Sequence, residues 1–265
     1  MKNNNLLSFI DKVYLGDIFD LLKNLPDKSI DCIYGDPDYN VGRKYEGKSY
    51  KMEFNDYIEW YINLAKESLR VLKDNGNMFF INYPKQNSYL RVRFLDEACY
   101  KVYDYVWIYN SNIGHSPYHF TTAHRSILHC RKTKNNKFFK ENVAEPYKNP
   151  SDKRIIENVK NGSKGRMPYS WLYYDLVKNV SREKTFHSCQ IPIKLFEKLM
   201  LSSTQDGDVV LILFGGSGSE IITCKEHNRH FISAEINNVY YKMIIERLTN
   251  KGKIPLKYKL KFKKK

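Results

Sequence analysis

The chain has 265 residues, with 44 Lys and Arg against 29 Asp and Glu, so its formal net charge is +15. That length allows one domain with an insertion or two small domains, and so large a positive charge argues for a polyanionic partner. No apolar run approaches the roughly 20 residues needed to span a bilayer, and Cys32, Cys99, Cys130, Cys189 and Cys224 form no Cys-x-x-Cys pair, which speaks against a zinc site or a disulfide framework. Residues 1–5 hold no apolar core of signal-peptide length, so a cytoplasmic location with reduced thiols is expected.

In chain order, residues 13–17 read as a short strand, and Asp17 precedes a helical pattern that Pro26 stops. Asp17 is therefore an N-cap or a strand-end group that touches a ligand, and at the edge of a cleft the two are compatible. Residues 29–35 read as a buried strand that runs into Asp36-Pro37-Asp38-Tyr39-Asn40, and 41–50 follow without a clear period. An acid, a rigid proline and an aromatic ring thus stand at the carboxyl end of a strand, where open α/β sheets place their chemistry. Taken alone, Asp36 reads as the strand-end Asp of an Asx turn before proline. Over 55–72, Tyr57, Ile58, Tyr61, Ile62, Ala65, Leu69 and Leu72 have the spacing of an amphipathic helix, capped by Asn55 or Asp56. Asn75-Gly76 ends that unit; 78–81 is a buried strand, 85–99 a helix and 103–109 a strand. Strands alternating with helices predict a doubly wound parallel sheet.

Periodicity fades over 110–185, where basic residues, Asn, Gly and Pro accumulate. Residues 114–119 and 160–166 read as loops, with one clear strand at 126–130. The interleaved Tyr118, Phe120, Tyr169, Trp171, Tyr173 and Tyr174 suit phosphate contact and base stacking, or else a solvated surface insertion. His115, His119, His124 and His129 lack a Cys or carboxylate at metal-site spacing, so no metal is expected.

Order returns near residue 187. A helix over 192–203 buries Leu195, Phe196, Leu199 and Met200; Asp206-Gly207 is a turn; 208–214 is a central strand. That strand runs into Gly215-Gly216-Ser217-Gly218-Ser219-Glu220 and a helix, then a strand over 230–235 ends in Glu235, and a helix spans 238–250. The glycines let the backbone approach a ligand, and Glu235 can accept from both ribose hydroxyls. The strict dinucleotide fingerprint fails at Ile221, and a hydrolase nucleophile elbow fails at Ser219. The alternation of Leu256, Tyr258, Leu260 and Phe262 fits an edge strand or a phosphate-binding tail.

Asp36-Pro37-Asp38-Tyr39 resembles the Asp-Pro-Pro-Tyr of the amino-group DNA methyltransferases, which move a methyl group from S-adenosylmethionine (SAM) to adenine N6; Asp38 stands where they carry Pro. The later segments resemble the same family's His-Pro-x-Gln-Lys-Pro-like stretch, its Asp-Pro-Phe-x-Gly-Ser-Gly-Thr turn and the acid that ends its next strand. His187, Gln190, Pro192, Phe214, Gly216, Ser217, Gly218 and Glu235 match, while Ser188, Ile191, Ile212 and Leu213 depart. The catalytic loop comes first, the basic region second and the SAM loop last, which is the permuted order of the β group. Several weak motifs in one consistent order are more specific than any one alone.

The resemblance implies a doubly wound, mostly parallel, Rossmann-like α/β sheet with an inserted basic target-recognition region. Residues 1–110 would form the catalytic half, 111–185 the insertion and 186–265 the SAM-binding half with a basic tail. It implies Asp36, Pro37 and Tyr39 as catalytic residues, and Asp17, His187, Gln190, Phe214, Gly216, Ser217, Gly218 and Glu235 as the SAM site, with no metal. The implied partner is DNA, duplex favoured, with the target base swung out. A homodimer, or pairing with a methyltransferase or restriction subunit, is the implied assembly. Competing readings are a cytosine-N4 enzyme, a non-catalytic DNA-binding subunit and an RNA methyltransferase. Asp36 favours adenine, since relatives acting on cytosine more often begin this motif with Ser.

Overall fold

Strands that are apolar on both faces must be covered on both faces, and this chain has several. The computed structural model describes residues 5–42, 44–45, 48–110, 117–178, 181 and 183–259; His115, Leu260 and Phe262 lie outside them. The first part contains β1 (Lys12–Leu15), α1 (Ile18–Leu22), β2 (Ile30–Gly35), the short pair β3 (Lys44–Tyr45) and β4 (Lys48–Ser49), α2 (Phe54–Val71) and β5 (Leu72–Asn82). Then come α3 (Pro84–Leu90), a π-helical turn (Arg91–Leu95), α4 (Asp96–Ala98), β6 (Lys101–Ile108), β7 (His124–Arg131), α5 (Lys153–Lys160) and β8 (Trp171–Tyr173). The last part contains α6 (Ile193–Ser203), β9 (Val209–Ile212), α7 (Ser219–Glu226), β10 (His230–Glu235) and α8 (Asn238–Thr249).

Eight strands form one sheet in the order β1-β10-β9-β2-β5-β7-β6-β8. Neighbours from β1 to β5 are parallel, β7 is antiparallel to both β5 and β6, and β8 is parallel to β6. Alternate residues serve opposite faces, as the strand period requires. Ile33, Leu211, Leu213, Ile232 and Ala234 pack with α1 and α2. Cys32, Tyr34, Val210, Ile212 and Phe231 pack with α6, α7 and α8 on the other side. From β2 the chain builds outward through β5, and from β9 it builds the other way through β10. Adjacent β2 and β9 are therefore the switch point of the sheet, and the crevice beyond their carboxyl ends is the expected ligand site.

Several local expectations change. Helix α2 starts at Phe54, with Glu53 in the cap position and no side-chain cap, rather than at an Asn55 or Asp56 cap. Asn75-Gly76 does not end the unit: α2 passes directly into β5, and the extra residues are absorbed as a register shift against β2. The helix expected over 85–99 is interrupted by the π-helical turn. The predicted strand at 126–130 is β7, longer at both ends and wedged between β5 and β6, so this part of the basic interval belongs to the main sheet. Residues 256–258 form a 3₁₀ turn rather than an edge strand.

Candidate active site

At the carboxyl end of β2 the backbone leaves the sheet at Asp36, and Pro37 fixes its direction. The Tyr39 hydroxyl returns to donate to Asp36 Oδ1 at 2.5 Å. Asp38 turns the other way: its Oδ1 accepts the Asn40 N–H at 2.8 Å, and its carbonyl accepts from the Tyr57 hydroxyl at 2.6 Å. Asn40 takes a left-handed conformation (φ +60°) and exchanges hydrogen bonds with the Met52 backbone at 2.7 and 3.0 Å. The loop is thus tied to α2 and to the segment that precedes it. Burial pushes Asp36 up to about 8; the Tyr39 hydroxyl pulls it down, Glu220 pushes it up, Arg125 pulls it down and Asp38 pushes it up.

The Gly-rich turn faces this loop across a cleft of about 450 Å³. Gly216 and Gly218 have φ of +51° and +73°, a region that side chains with a Cβ rarely adopt. Gly216 N–H donates to Glu235 Oε2 at 2.7 Å, and Asn237 N–H donates to Glu235 Oε1 at 2.7 Å. Each Glu235 oxygen keeps a lone pair for a ligand hydroxyl. Burial raises the Glu235 carboxyl above its usual range, against backbone hydrogen bonds that lower it. Asp17 both caps α1, accepting from Phe19 N–H at 2.8 Å, and lines the cleft with Gly16 and Ile18.

Asp36, Pro37, Tyr39, Asp17, His187, Gln190, Phe214, Gly216, Ser217 and Glu235 all line this one cleft. Gly218 does not; it stands at the start of α7, where a Cβ would come within 3.1 Å of Ile244. Gln190 reaches the cleft, but its amide is already committed. Its Oε1 accepts from Thr185 N–H and Oγ1, and its Nε2 donates to the Glu183 carbonyl and Ser219 Oγ. It ties the 183–190 segment to α7. His187 packs edge-on against Tyr240, with ring centroids 4.6 Å apart, beneath Gly216.

Sequence reasoning missed Tyr34, Trp60, Tyr83, Arg125 and Glu220. Arg125 of β7 lies over the Tyr83 ring at 3.9 Å, donates to the Tyr83 and Tyr109 hydroxyls and faces the Tyr39 ring at 5.5 Å. No spacing in the chain brings residue 125 to residue 39; the antiparallel β5–β7 pairing does. Glu220 was legible as an acid beside the Gly-rich turn. Burial pushes it up to about 7, with Arg247 pulling it down and Glu183 pushing it up.

The cleft is lined by Asp17, Asp36, Asp38, Glu220 and Glu235 beside apolar walls from Ile18, Trp60, Phe214 and Ile236. That set of acceptors and apolar walls fits S-adenosylmethionine, which presents an adenine ring, two ribose hydroxyls and two cationic groups. A family model described as DNA methylase matches residues 30–246, and the chain belongs to that family. It is 31% identical over 258 residues to the Type II methyltransferase M.BamHI of Bacillus amyloliquefaciens, covering 92% of this chain but only 58% of that protein's length. It is 29% identical over 242 residues to the DNA adenine methyltransferase YhdJ of Escherichia coli (strain K12), covering 88% of this chain and 81% of that protein. Identity to the Type II methyltransferase M.HpaI of Haemophilus parainfluenzae is 32% over 228 residues, with 86% and 70% covered. Among solved structures, PvuII DNA methyltransferase (cytosine-N4-specific) superposes with a TM-score of 0.68 at 20% identity, covering 91% of this chain and 90% of that one. An M1.HpyAVI–SAM complex gives 0.62 at 24% identity, with 89% and 98% covered. At these identities the superpositions speak to the fold.

Proposed function

We propose that this DNA methylase transfers a methyl group from SAM to the N6 amino group of adenine in DNA at a specific sequence, as the modification half of a restriction–modification pair. The observation that carries the reading is Asp36-Pro37 at the tip of β2, facing the Gly216 turn and Glu235 across one cleft. Adenine is favoured by Asp36 at the head of the motif and by the adenine activity in the name of the YhdJ relative; the relatives named Type II favour the pairing with a restriction enzyme.

An exocyclic amino nitrogen is a poor nucleophile because its lone pair is shared with the ring. Acceptors on both amino protons localise that pair on nitrogen. Asp36 Oδ2, which carries no hydrogen bond among the described residues, and the Pro37 carbonyl are those acceptors. SAM supplies an electrophilic methyl group on a sulfonium. Transfer of that methyl to nitrogen would leave a neutral thioether as the leaving group and require nitrogen to lose one proton, which Asp36 would help to remove. Tyr39 stacks on the extruded base, with Arg125 and Tyr83 behind it. Glu235 holds the ribose, Asp17 the adenine end, and the remaining work is alignment. The tool for all of this is charge and position; Asp36 performs no covalent step.

The test is methyl transfer from labelled SAM to unmethylated DNA, followed by digestion to nucleosides and mass analysis. N6-methyladenine is expected, and Asp36→Ala should lower the rate by about 10²-fold or more. N4-methylcytosine would overturn the base assignment. No product from DNA or RNA, with SAM binding intact, would point to a non-catalytic subunit.

A further inference from the structure

Two buried polar groups in the cleft are left under-satisfied by the described residues. Tyr34 is 2% exposed, and its hydroxyl makes no hydrogen bond among the described residues. Glu220 is 8% exposed; among the described residues its carboxylate forms no ion pair and accepts only from its own backbone N–H. Arg247, which acts on it electrostatically, gives its Nη1 to the Ser217 carbonyl and Ser219 Oγ and forms no ion pair with it among the described residues. Both groups line the same cleft, and both act electrostatically with Asp36. Buried acids in proteins are ordinarily paired, and buried hydroxyls ordinarily bonded. A phenol lacking an acceptor beside a carboxylate without a close ion pair matches a ligand that offers an anion and a cation close together.

The register of the sheet adds a second argument. Tyr34 of β2 and Ile212 of β9 are direct partners on adjacent strands, and both face the α6–α7 side. An acid at 212, where the resembled turn has Asp, would point to that face beside Tyr34. Ile212 is instead fully buried apolar packing, and the first turn of α7 delivers the Glu220 carboxylate to the same region.

We propose that Glu220 receives the α-ammonium group of SAM, with the Tyr34 hydroxyl donating to its α-carboxylate, so that Glu220 takes the place of the acid that β9 lacks. The inference rests on the cofactor reading above. It makes the amino-acid end of the cofactor a subsite separate from the ribose site at Glu235.

The test is calorimetric binding of S-adenosylhomocysteine and of 5′-methylthioadenosine, which keeps the nucleoside and sulfur but lacks the amino-acid arm. The wild-type protein should bind the first more tightly by about 10-fold or more, since two charge-assisted contacts are added. Glu220→Gln should weaken S-adenosylhomocysteine by about 10-fold and leave 5′-methylthioadenosine within about twofold. Tyr34→Phe should do the same to a smaller degree. Retained 5′-methylthioadenosine binding also reports that the variant is folded. Unchanged S-adenosylhomocysteine binding in Glu220→Gln, or equal weakening of both ligands, would overturn the assignment. If the wild-type protein binds neither ligand, the cofactor reading itself falls.

Discussion

Asp38 is the residue at which the Asp36–Asn40 loop departs from the pattern it resembles, and the structure gives it two effects. It holds the loop through the Asn40 N–H, and it contributes, after burial and Glu220, to raising Asp36. Its Oδ2 is buried and has no hydrogen-bond partner among the described residues. In the proposed mechanism Asp36 accepts when ionised, and below about 8 the ionised fraction falls tenfold per unit of pH. The single-turnover methyl-transfer rate should therefore climb with pH and level off above about 8. Asp38→Asn keeps an acceptor for Asn40 but removes a negative charge. Its pH–rate profile should have the same shape with the rising limb displaced to lower pH, by about half a unit. A limb displaced upward would mean that Asp38 does not oppose the ionisation of Asp36.

At the scale of elements, the basic interval divides into two parts with different duties. Strand β7 is built into the main sheet and carries Arg125 to the Tyr39 ring. Beyond it, β8 is an edge strand paired with β6, and its flank is aromatic. Trp171 and Tyr173 are about half exposed; Trp171 stacks on Tyr169 with centroids 5.8 Å apart, and the Arg166 guanidinium lies 4.2 Å above the Tyr169 ring. Exposed rings with cations over them suit contact with nucleic acid. Trp171→Ala should weaken duplex DNA binding by about 5- to 100-fold in a fluorescence-anisotropy titration, the range expected for one lost stacking contact. Cofactor affinity should stay the same. A loss of cofactor binding in parallel would indicate a packing role instead.

At the scale of the whole molecule, the two ends of the sheet do opposite things. The carboxyl end gathers acids around a ligand cleft, whereas the amino end neutralises its acids internally. Asp31 on β2 is 1% exposed. Its carboxylate meets Lys73 at 2.8 Å, Lys137 at 2.9 Å and the Val209 N–H at 3.0 Å, and Lys137 also meets Asp208 at 2.8 Å. Burial pushes Asp31 up, but these donors outweigh it and hold the carboxyl below its usual range. A carboxyl lowered on folding stabilises the protein above its unfolded value and loses that contribution as pH falls through the folded one. Lys137→Met removes the cation shared by two acids. It should cost about 2–3 kcal/mol in urea unfolding at pH 7, less than the full cost of breaking a buried pair because Lys73 remains. The difference should shrink in acid. An unchanged urea midpoint at pH 7 would place the stabilising charges elsewhere.

The sequence by itself determined most of the local elements and the class of chemistry. The short buried runs of β2, β9 and β10, the period of α2, the acid after β2 and the glycines after β9 are each encoded within a few neighbouring residues. Their order along the chain was enough to suggest one cleft and its cofactor. What only the tertiary structure decided were contacts between residues far apart in sequence. Arg125 reaches Tyr39 because β7 pairs antiparallel with β5. α2 passes into β5 at Leu72 although Asn75-Gly76 looks like a turn, because a bulge against β2 absorbs the extra residues. Glu220 shares a cleft with Tyr34 because β2 and β9, separated by most of the chain, are neighbours in register. Such pairings depend on the free energy of burying both faces of one sheet, a sum over the whole molecule that no short window of sequence contains.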